Sequence, residues 1–333
     1  MKILFHHSSP FAFAHGGFQI QIEQTKSALE SIGVEVEFLR WWDDQQRGDL
    51  VHCFGGASNS FLGAARAIGK PVVLTTLFTD TCNRSDMHLS LQSWITRSIL
   101  ALPFGEGIKQ QLSWRTFKNC TQNVVGLECE RQVLQQVYRV PSDRISVVPL
   151  GLSETYLRAG TAKRSEPHLI CTGTITARKS CLDLAEMAHA AKAPILFVGK
   201  PYHPTDPYWL RFRELIDDHW VKHQPHVSRE EEMIPLLQSA RGFVLMSQYE
   251  NWCLSAHEAV ACGLPLLVQD QKWSRERFGD QCRYFDSIGN TPKNVEILKQ
   301  FHADAPSLTP PAIKLHSWKE VARELLQVYQ SVL

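Results

Sequence analysis

Residues 242–270, GFVLMSQYENWCLSAHEAVACGLPLLVQD, decide how the chain is read. The apolar run 243–246 has the length and character of a buried strand, and a polar loop carrying Glu250 follows it. A short helical segment holding Glu258 comes next; Gly263 and Pro265 stop it, and 264–268 form a second buried run. Strand, loop, helix, strand is the repeating unit of a parallel α/β sheet, where ligands bind beyond the carboxyl ends of the strands. Glu250 stands at such an end.

Glu250 and Glu258 are eight positions apart, which on one helix is roughly 12 Å at about 1.5 Å per residue. Paired hydrolytic carboxylates stand about 5–9 Å apart across a single bond. Two separate jobs along one elongated ligand fit this spacing better than a glycosidase pair. Each residue also has an ordinary structural explanation: Glu250 as a solvated loop residue, Glu258 as an acidic residue near a helix start, where the dipole favours it.

Outward from this unit the same alternation continues. Residues 168–172 and 194–198 read as strands, separated by the loop GTITARKS and a helix over 181–191. A helix over 208–218 precedes a loop running to Val227, and the spacing predicts a further helix starting near Ile234, with Pro235 in its first turn. In the first half, 2–5, 34–39, 49–54, 71–78, 124–125 and 145–148 read as strands. Phe18, Ile22, Leu29 and Ile32 share one helical face that follows Gly16-Gly17. Two glycines before a helix let backbone N–H groups approach an anion, although a plain tight turn accounts for them equally well. The polar segment 155–167 is the best linker, and Ser317-Trp-Lys-Glu320 is a capping box opening a terminal helix suited to docking on the first domain.

Composition narrows the class. At 333 residues, with about 150 per domain as a guide, two domains are expected. With 35 basic and 34 acidic residues the net charge is +1, so no global field points to nucleic acid. Nine cysteines without a CxxC pair argue against a zinc site or disulfide framework and suit a reducing cytoplasm. No apolar run reaches the roughly 18 residues of a spanning helix. Neither GxGxxG nor GxxxxGK[ST] occurs, which removes the main support for ordinary dinucleotide and P-loop readings. Residues 87–118 interleave Trp94, Ile95, Trp114 and Phe117 with Arg97, Arg115 and Lys118, a pattern that suits either peripheral contact with an anionic membrane or a core-facing helix pair.

Taken together, the Gly-Gly loop, the Thr-Ile-x-x-Arg-Lys loop at 174–179, the Ser-x-x-Glu-x7-Glu-Ala block at 247–259 and the Ser-Trp-x-x-Val-Ala helix resemble the retaining nucleotide-sugar glycosyltransferases of the family-4 type. The resemblance spans nearly the whole chain. It implies the GT-B fold, two Rossmann-like doubly wound domains whose parallel sheets face a central cleft: an acceptor-side domain over 1–155 rejoined by the helix 317–333, and a donor domain over 165–312. Arg178 and Lys179 would clamp the donor diphosphate, with Glu250 at the donor sugar as the third catalytic residue. Glu258 would hold the ribose; Gly173, Asn251, Trp252, Cys253 and Leu254 would complete the donor pocket, and Gly16 and Gly17 would approach from the other domain. His15, Phe78 and Asp80 are the acceptor-side candidates, with Phe78-Thr79-Asp80 standing where the family often has His-Asp. The resemblance further implies no cofactor or metal, a nucleotide-diphosphate sugar as donor and a saccharide or lipid-linked acceptor. A nucleotide-sugar epimerase or hydrolase, or a non-catalytic nucleotide-sugar-binding subunit, is the alternative on the same fold.

Overall fold

Runs of three to six residues rich in Val, Ile, Leu and Phe become strands buried on both faces, as sheets sandwiched between helices require. In the computed structural model, which describes residues 1–7, 11, 16–102 and 113–333, they form two six-stranded parallel sheets. The first contains β1 (Lys2–His7), β2 (Glu35–Phe38), β3 (Leu50–Phe54), β4 (Val72–Thr75), β5 (Gln122–Val125) and β6 (Ile145–Val147), ordered β2-β1-β3-β4-β5-β6. The second contains β7 (Leu169–Thr172), β8 (Ile195–Val198), β9 (Val221–Gln224), β10 (Phe243–Leu245), β11 (Leu266–Gln269) and β12 (Arg283–Phe285), ordered β12-β11-β10-β7-β8-β9. Each sheet reverses its winding once, between β1 and β3 in the first and between β7 and β10 in the second. Such switch points open the crevices where open α/β sheets take ligands.

The chain divides into one unit of Met1–Gly151 with Trp318–Leu333 and another of Leu152–Ser317. The terminal helix Trp318–Val332 therefore belongs with the first sheet, as its apolar face predicts, burying Trp318, Val321, Ala322, Leu325, Val328 and Tyr329. Tyr329 reaches a fully buried polar chain: its hydroxyl lies 2.6 Å from His52 Nδ1, whose Nε2 lies 2.7 Å from Thr75 Oγ1. Burial holds the His52 imidazole down at about 3, so the ring is neutral and one nitrogen donates while the other accepts.

Several expectations need correction. The segment 155–167, expected as a linker, is tied into the second unit. Arg164 donates from Nη1 to the carbonyls of Ala305, Pro306 and Leu308 and from Nη2 to that of Gly263, while the amides of Lys163 and Arg164 bond to the Gln238 carbonyl. The helix placed near Ile234 begins earlier, at Glu230, with Pro235 inside Glu230–Ser239. Glu230, Glu231 and Glu232 favour the dipole at its start, and buried Ile234 and Leu237 anchor it against the loss of one internal hydrogen bond. Strand β9 lies where a loop was expected because its residues are mostly half-buried and carry little alternation.

The helix Asp86–Ala101 turns the opposite way from a core-facing helix. Leu89, Ser93 and Thr96 are its buried residues, with Ser93 Oγ donating to the Gln136 carbonyl at 2.7 Å. Met87, Leu91, Trp94 and Ile95 form a stripe on the outside, and Trp94 is 66% exposed.

Candidate active site

The switch point of the second sheet is built from two loops. After β7, Gly173 takes φ +145° and the chain passes through a short turn, Ala177–Lys179, into Ser180 at φ +47°, from which the helix Cys181–Ala191 starts. This turn points Arg178 and Lys179 toward the loop that follows β10. Ser247, Glu250 and Asn251 of that loop are buried. Gln248 N–H donates to the Arg178 carbonyl at 2.7 Å and fixes one loop against the other.

Here the three residues expected to be catalytic meet. Arg178 Nη1 donates to Glu250 Oε1 at 2.8 Å and to the Tyr249 carbonyl at 3.0 Å; buried Lys179 donates Nζ to the same carboxylate oxygen, and Ser247 Oγ does so at 2.9 Å. Burial alone would push the Glu250 carboxyl up, but the Lys179 ammonium and then the Arg178 guanidinium outweigh it and hold the group below the usual carboxylate range. The same carboxylate raises both cations against their own desolvation. All three are therefore charged at neutral pH, two positive charges against one negative. The hydrogen bonds seen at Arg178 use Nη1 alone, which leaves Nε and Nη2 of a five-donor fork for another acceptor. Three further hydroxyls of the same stretch, on Thr172, Thr176 and Ser180, are buried without a hydrogen-bond partner among the described residues.

Gly173 matters through space. A Cβ placed there would lie 3.7 Å from Lys179 Cε, and one placed on Gly199 would lie 1.9 Å from the Gly173 carbonyl oxygen. Two backbones thus approach closely beneath the ammonium.

The residues after Glu250 divide between site and support. Trp252 is buried, stacked on His257 with centroids 4.8 Å apart and planes 10° apart, and covered on its ring by the Arg277 guanidinium at 4.3 Å. Arg277 Nε also reaches His257 Nε2 at 3.1 Å. Burial, reinforced by Arg277, lowers the His257 imidazole to about 3. Cys253 adopts φ +61° at the start of the helix Leu254–Ala261, which Leu254 opens. Nothing in the sequence pairs Arg277 with Trp252: they are far apart in the chain and their contact is one of ring face and cation.

Glu258 lies on that helix, half-buried and near enough to the cluster for the Lys179 ammonium to act on its carboxyl. Burial, and then the neighbouring Glu230, push its carboxyl up to about 7. Glu230 is itself bonded by Ser153 Oγ at 2.5 Å. In the first unit, Gly16 precedes the helix Gly17–Ser31 with φ +148° and open space where a Cβ would be. His15 lies outside the described residues. The Phe78 ring is buried against Phe117 and Tyr138, and its N–H donates to buried Glu130 at 2.9 Å. Asp80 carries an exposed carboxylate paired with Arg84.

With this geometry in place, the comparisons are informative. Residues 166–284 match the family described as glycosyl transferases group 1, which places the Arg178, Lys179 and Glu250 cluster inside the matched region. The O-antigen chain mannosyltransferase B of Escherichia coli is 23% identical over 218 residues, covering 60% of this chain and 54% of that protein, so the matched stretch spans about half the relative's length. Among solved structures, the sucrose-phosphate synthase of Thermosynechococcus elongatus superposes with a TM-score of 0.69 at 14% identity, covering 99% of this chain and 98% of that one. A glycosyltransferase from Rickettsia africae gives 0.65 at 12% identity, with 99% and 98% covered. The Anabaena protein HepE in complex with UDP-glucose gives 0.60 at 14%, with 99% and 100% covered. The fold is GT-B, and residues 166–284 of the second unit match the model of the group 1 glycosyltransferases.

Proposed function

We propose that the protein is a glycosyltransferase that moves a sugar from a nucleotide-diphosphate donor to an acceptor hydroxyl in glycan synthesis, with retention at the anomeric carbon. One observation carries the reading: Arg178, Lys179 and Glu250 converge at the switch point of the second sheet, with cationic donors in excess of the single carboxylate. A diphosphate is the ligand that such donors fit. The free N–H groups of Arg178 suit two oxygens at once, and Lys179 adds a compact charge.

In the proposed reaction the bond between the anomeric carbon and the diphosphate oxygen breaks while negative charge grows on the leaving group. Arg178 and Lys179 stabilise that charge more in the transition state than in the bound donor, which is what accelerates the step. The acceptor oxygen forms the new bond and its proton passes to the departing diphosphate. Glu250 holds both cations in place and accepts from hydroxyls of the donor sugar. Glu258, on the helix that follows the Glu250 loop, accepts from the ribose when ionised. Gly16 and Gly17 are assigned to the donor from the first unit, with no metal and no cofactor in the scheme. The complex of HepE with UDP-glucose and the mannosyltransferase relative support this class of donor and product.

A peripheral membrane contact is part of the proposal. Among the described residues no helix is long and apolar enough to cross a bilayer. The exposed stripe of Met87, Leu91, Trp94 and Ile95 suits a helix lying in the interface, which fits a lipid-linked acceptor.

The test is turnover with labelled nucleotide sugars and saccharide acceptors. Glu250→Gln, and Arg178→Ala combined with Lys179→Ala, are expected to abolish transfer in folded protein; wild-type turnover by either would refute the assignment. Donor consumed with no glycoside product would instead identify a hydrolase or epimerase.

A further inference from the structure

Arg277 belongs to neither loop of the candidate site. It stands on the helix Lys272–Phe278, and its guanidinium joins three separate segments of the second unit. The group lies over the Trp252 ring at 4.3 Å, its Nε is 3.1 Å from His257 Nε2, and its Nη2 donates to the Lys314 carbonyl at 3.3 Å. Trp252 and His257 are themselves stacked, with planes 10° apart. We propose that Arg277 is a positioning residue: through the Trp252 ring and the His257 imidazole it fixes the backbone of 252–254, the stretch that follows Glu250 and Asn251. Calling that stretch part of a donor-sugar pocket rests on the function proposed above; the clamp itself does not.

The hydrogen bonds run in one direction. A guanidinium has donors only, so His257 Nε2 must accept from Arg277. The buried, neutral imidazole then carries its proton on Nδ1, which lies 3.0 Å from the Cys253 carbonyl and donates to it. One cation thereby sets the tautomer, and the tautomer sets the carbonyl. Protonating the ring would turn Nε2 into a second donor facing Arg277 and break the chain.

Cys253 is the residue that needs such holding. Its φ of +61° and ψ of 74° lie in the left-handed region, which a residue with a side chain keeps only where its surroundings impose it. The carbonyl held by His257 also accepts from Ala256 N–H at 3.1 Å, and the helix Leu254–Ala261 starts from this kink. Relaxation of Cys253 would redirect the first amides of that helix, which the helix cannot pair internally. The cost of the arrangement points the same way. Burial lowers the Arg277 guanidinium from its ordinary range, and its three contacts are a ring face, a ring nitrogen and a carbonyl, all neutral. An apolar side chain would cover Trp252 without that desolvation. What the guanidinium adds is direction, one donor fixed on His257 and another on the Lys314 carbonyl.

The experiment is a double-mutant cycle on the full chain with Arg277→Ala, Cys253→Gly and their combination, read by transfer from a nucleotide sugar and by hydrogen exchange over residues 250–256. Arg277→Ala should lower kcat about tenfold or more while KM for the donor stays within about threefold, because a displaced group costs rate and Arg178, Lys179 and Glu258 are untouched. Arg277→Lys, which keeps the charge without the fork, should recover only part of the loss. Glycine adopts the left-handed conformation freely, so in the Cys253→Gly background the same Arg277→Ala change should cost less than about threefold in kcat. Exchange over 250–256 should quicken about tenfold in Arg277→Ala while that of the helix Trp318–Val332 stays as it was. The imidazole nitrogen spectrum should show His257 protonated at Nδ1 in the wild type. Should Arg277→Ala fail to fold, Arg277→Lys in both backgrounds carries the cycle. An equal loss of kcat in the two backgrounds, unaltered exchange in the loop, or a His257 proton on Nε2 would overturn the proposal. A wild-type protein that turns over no nucleotide sugar would sink the donor reading, and the clamp then stands or falls on the exchange and the imidazole spectrum alone.

Discussion

Arg178 and Glu250, separated by seventy-two positions in the chain, meet at 2.8 Å because β7 and β10 are neighbours in the second sheet. Lys179 joins the same carboxylate oxygen from the adjoining position. A loop that holds two cations ready needs a fixed anion beside them, and Glu250 supplies it while engaging only Nη1 of the Arg178 fork. Replacing Arg178 by Ala should therefore reduce transfer by some hundred- to thousandfold, about 3–4 kcal/mol of transition-state stabilisation. Steady-state kinetics with a nucleotide sugar would measure it; a loss below tenfold would remove Arg178 from the diphosphate role.

The carboxyl of Glu258 gives a pH signature. Its folded value of about 7 lies above the ordinary 4.5, so the folded protein retains this proton between those values when the unfolded chain has lost it. The contribution to stability is present below about 4.5 and is lost as pH rises through about 7. Glu258→Gln should accordingly gain Tm relative to wild type as pH rises across that window. Nucleotide affinity should move oppositely, rising through the same window as the carboxylate forms and losing that dependence in Glu258→Gln. A difference in Tm that is flat with pH would contradict both parts.

Gly199→Ala tests the packing beneath Lys179. The added Cβ would lie 1.9 Å from the Gly173 carbonyl oxygen, and both partners are backbone. The variant should lose at least the ~1–3 kcal/mol typical of an overpacked core. Urea unfolding reads the loss directly, and an unchanged midpoint would mean that the two loops are further apart than described.

In the first unit, Tyr329→Phe removes the hydroxyl that lies 2.6 Å from His52 Nδ1. A buried imidazole nitrogen is then left unpaired, at a cost of about 1–3 kcal/mol. Because burial depresses His52 to about 3, its neutral form is favoured, and its contribution to stability fades as pH drops below the ordinary 6.5 toward that value. Equal stability of the two proteins would show that the bond does not anchor the terminal helix.

Much of this was legible in the sequence, for physical reasons that differ by element. The unit around Glu250 announced itself because two apolar runs flank a helix-length segment ended by Gly263 and Pro265. The terminal helix was equally clear, since its apolar face repeats at helical spacing. Strand β12 and the helix Lys272–Phe278 were not read because they are short, and the helix Pro292–Asp304 because only Asn294, Leu298 and Phe301 of its 13 residues are buried, one of them polar. The Arg277, Trp252 and His257 stack was also invisible, as only the fold brings those rings and that cation together. For the helix Asp86–Ala101 the pattern showed amphipathicity but not its direction, and the polar side, Ser93 and Thr96, proved to be the buried one.

That orientation has a measurable consequence. Wild-type protein should co-sediment with anionic liposomes, and Leu91→Ala with Trp94→Ala should release it while leaving nucleotide binding intact. Undiminished sedimentation of the double variant would remove this helix from the membrane contact.

The central claim is that the second unit holds a nucleotide diphosphate on Arg178 and Lys179, and thermal unfolding of the full chain with UDP, GDP and ADP tests it most directly. One of these at a hundred times its Kd should stabilise the protein by about 2.7 kcal/mol, and Arg178→Ala with Lys179→Ala should abolish the shift. No shift with any nucleotide, or the same shift in the double variant, would contradict it.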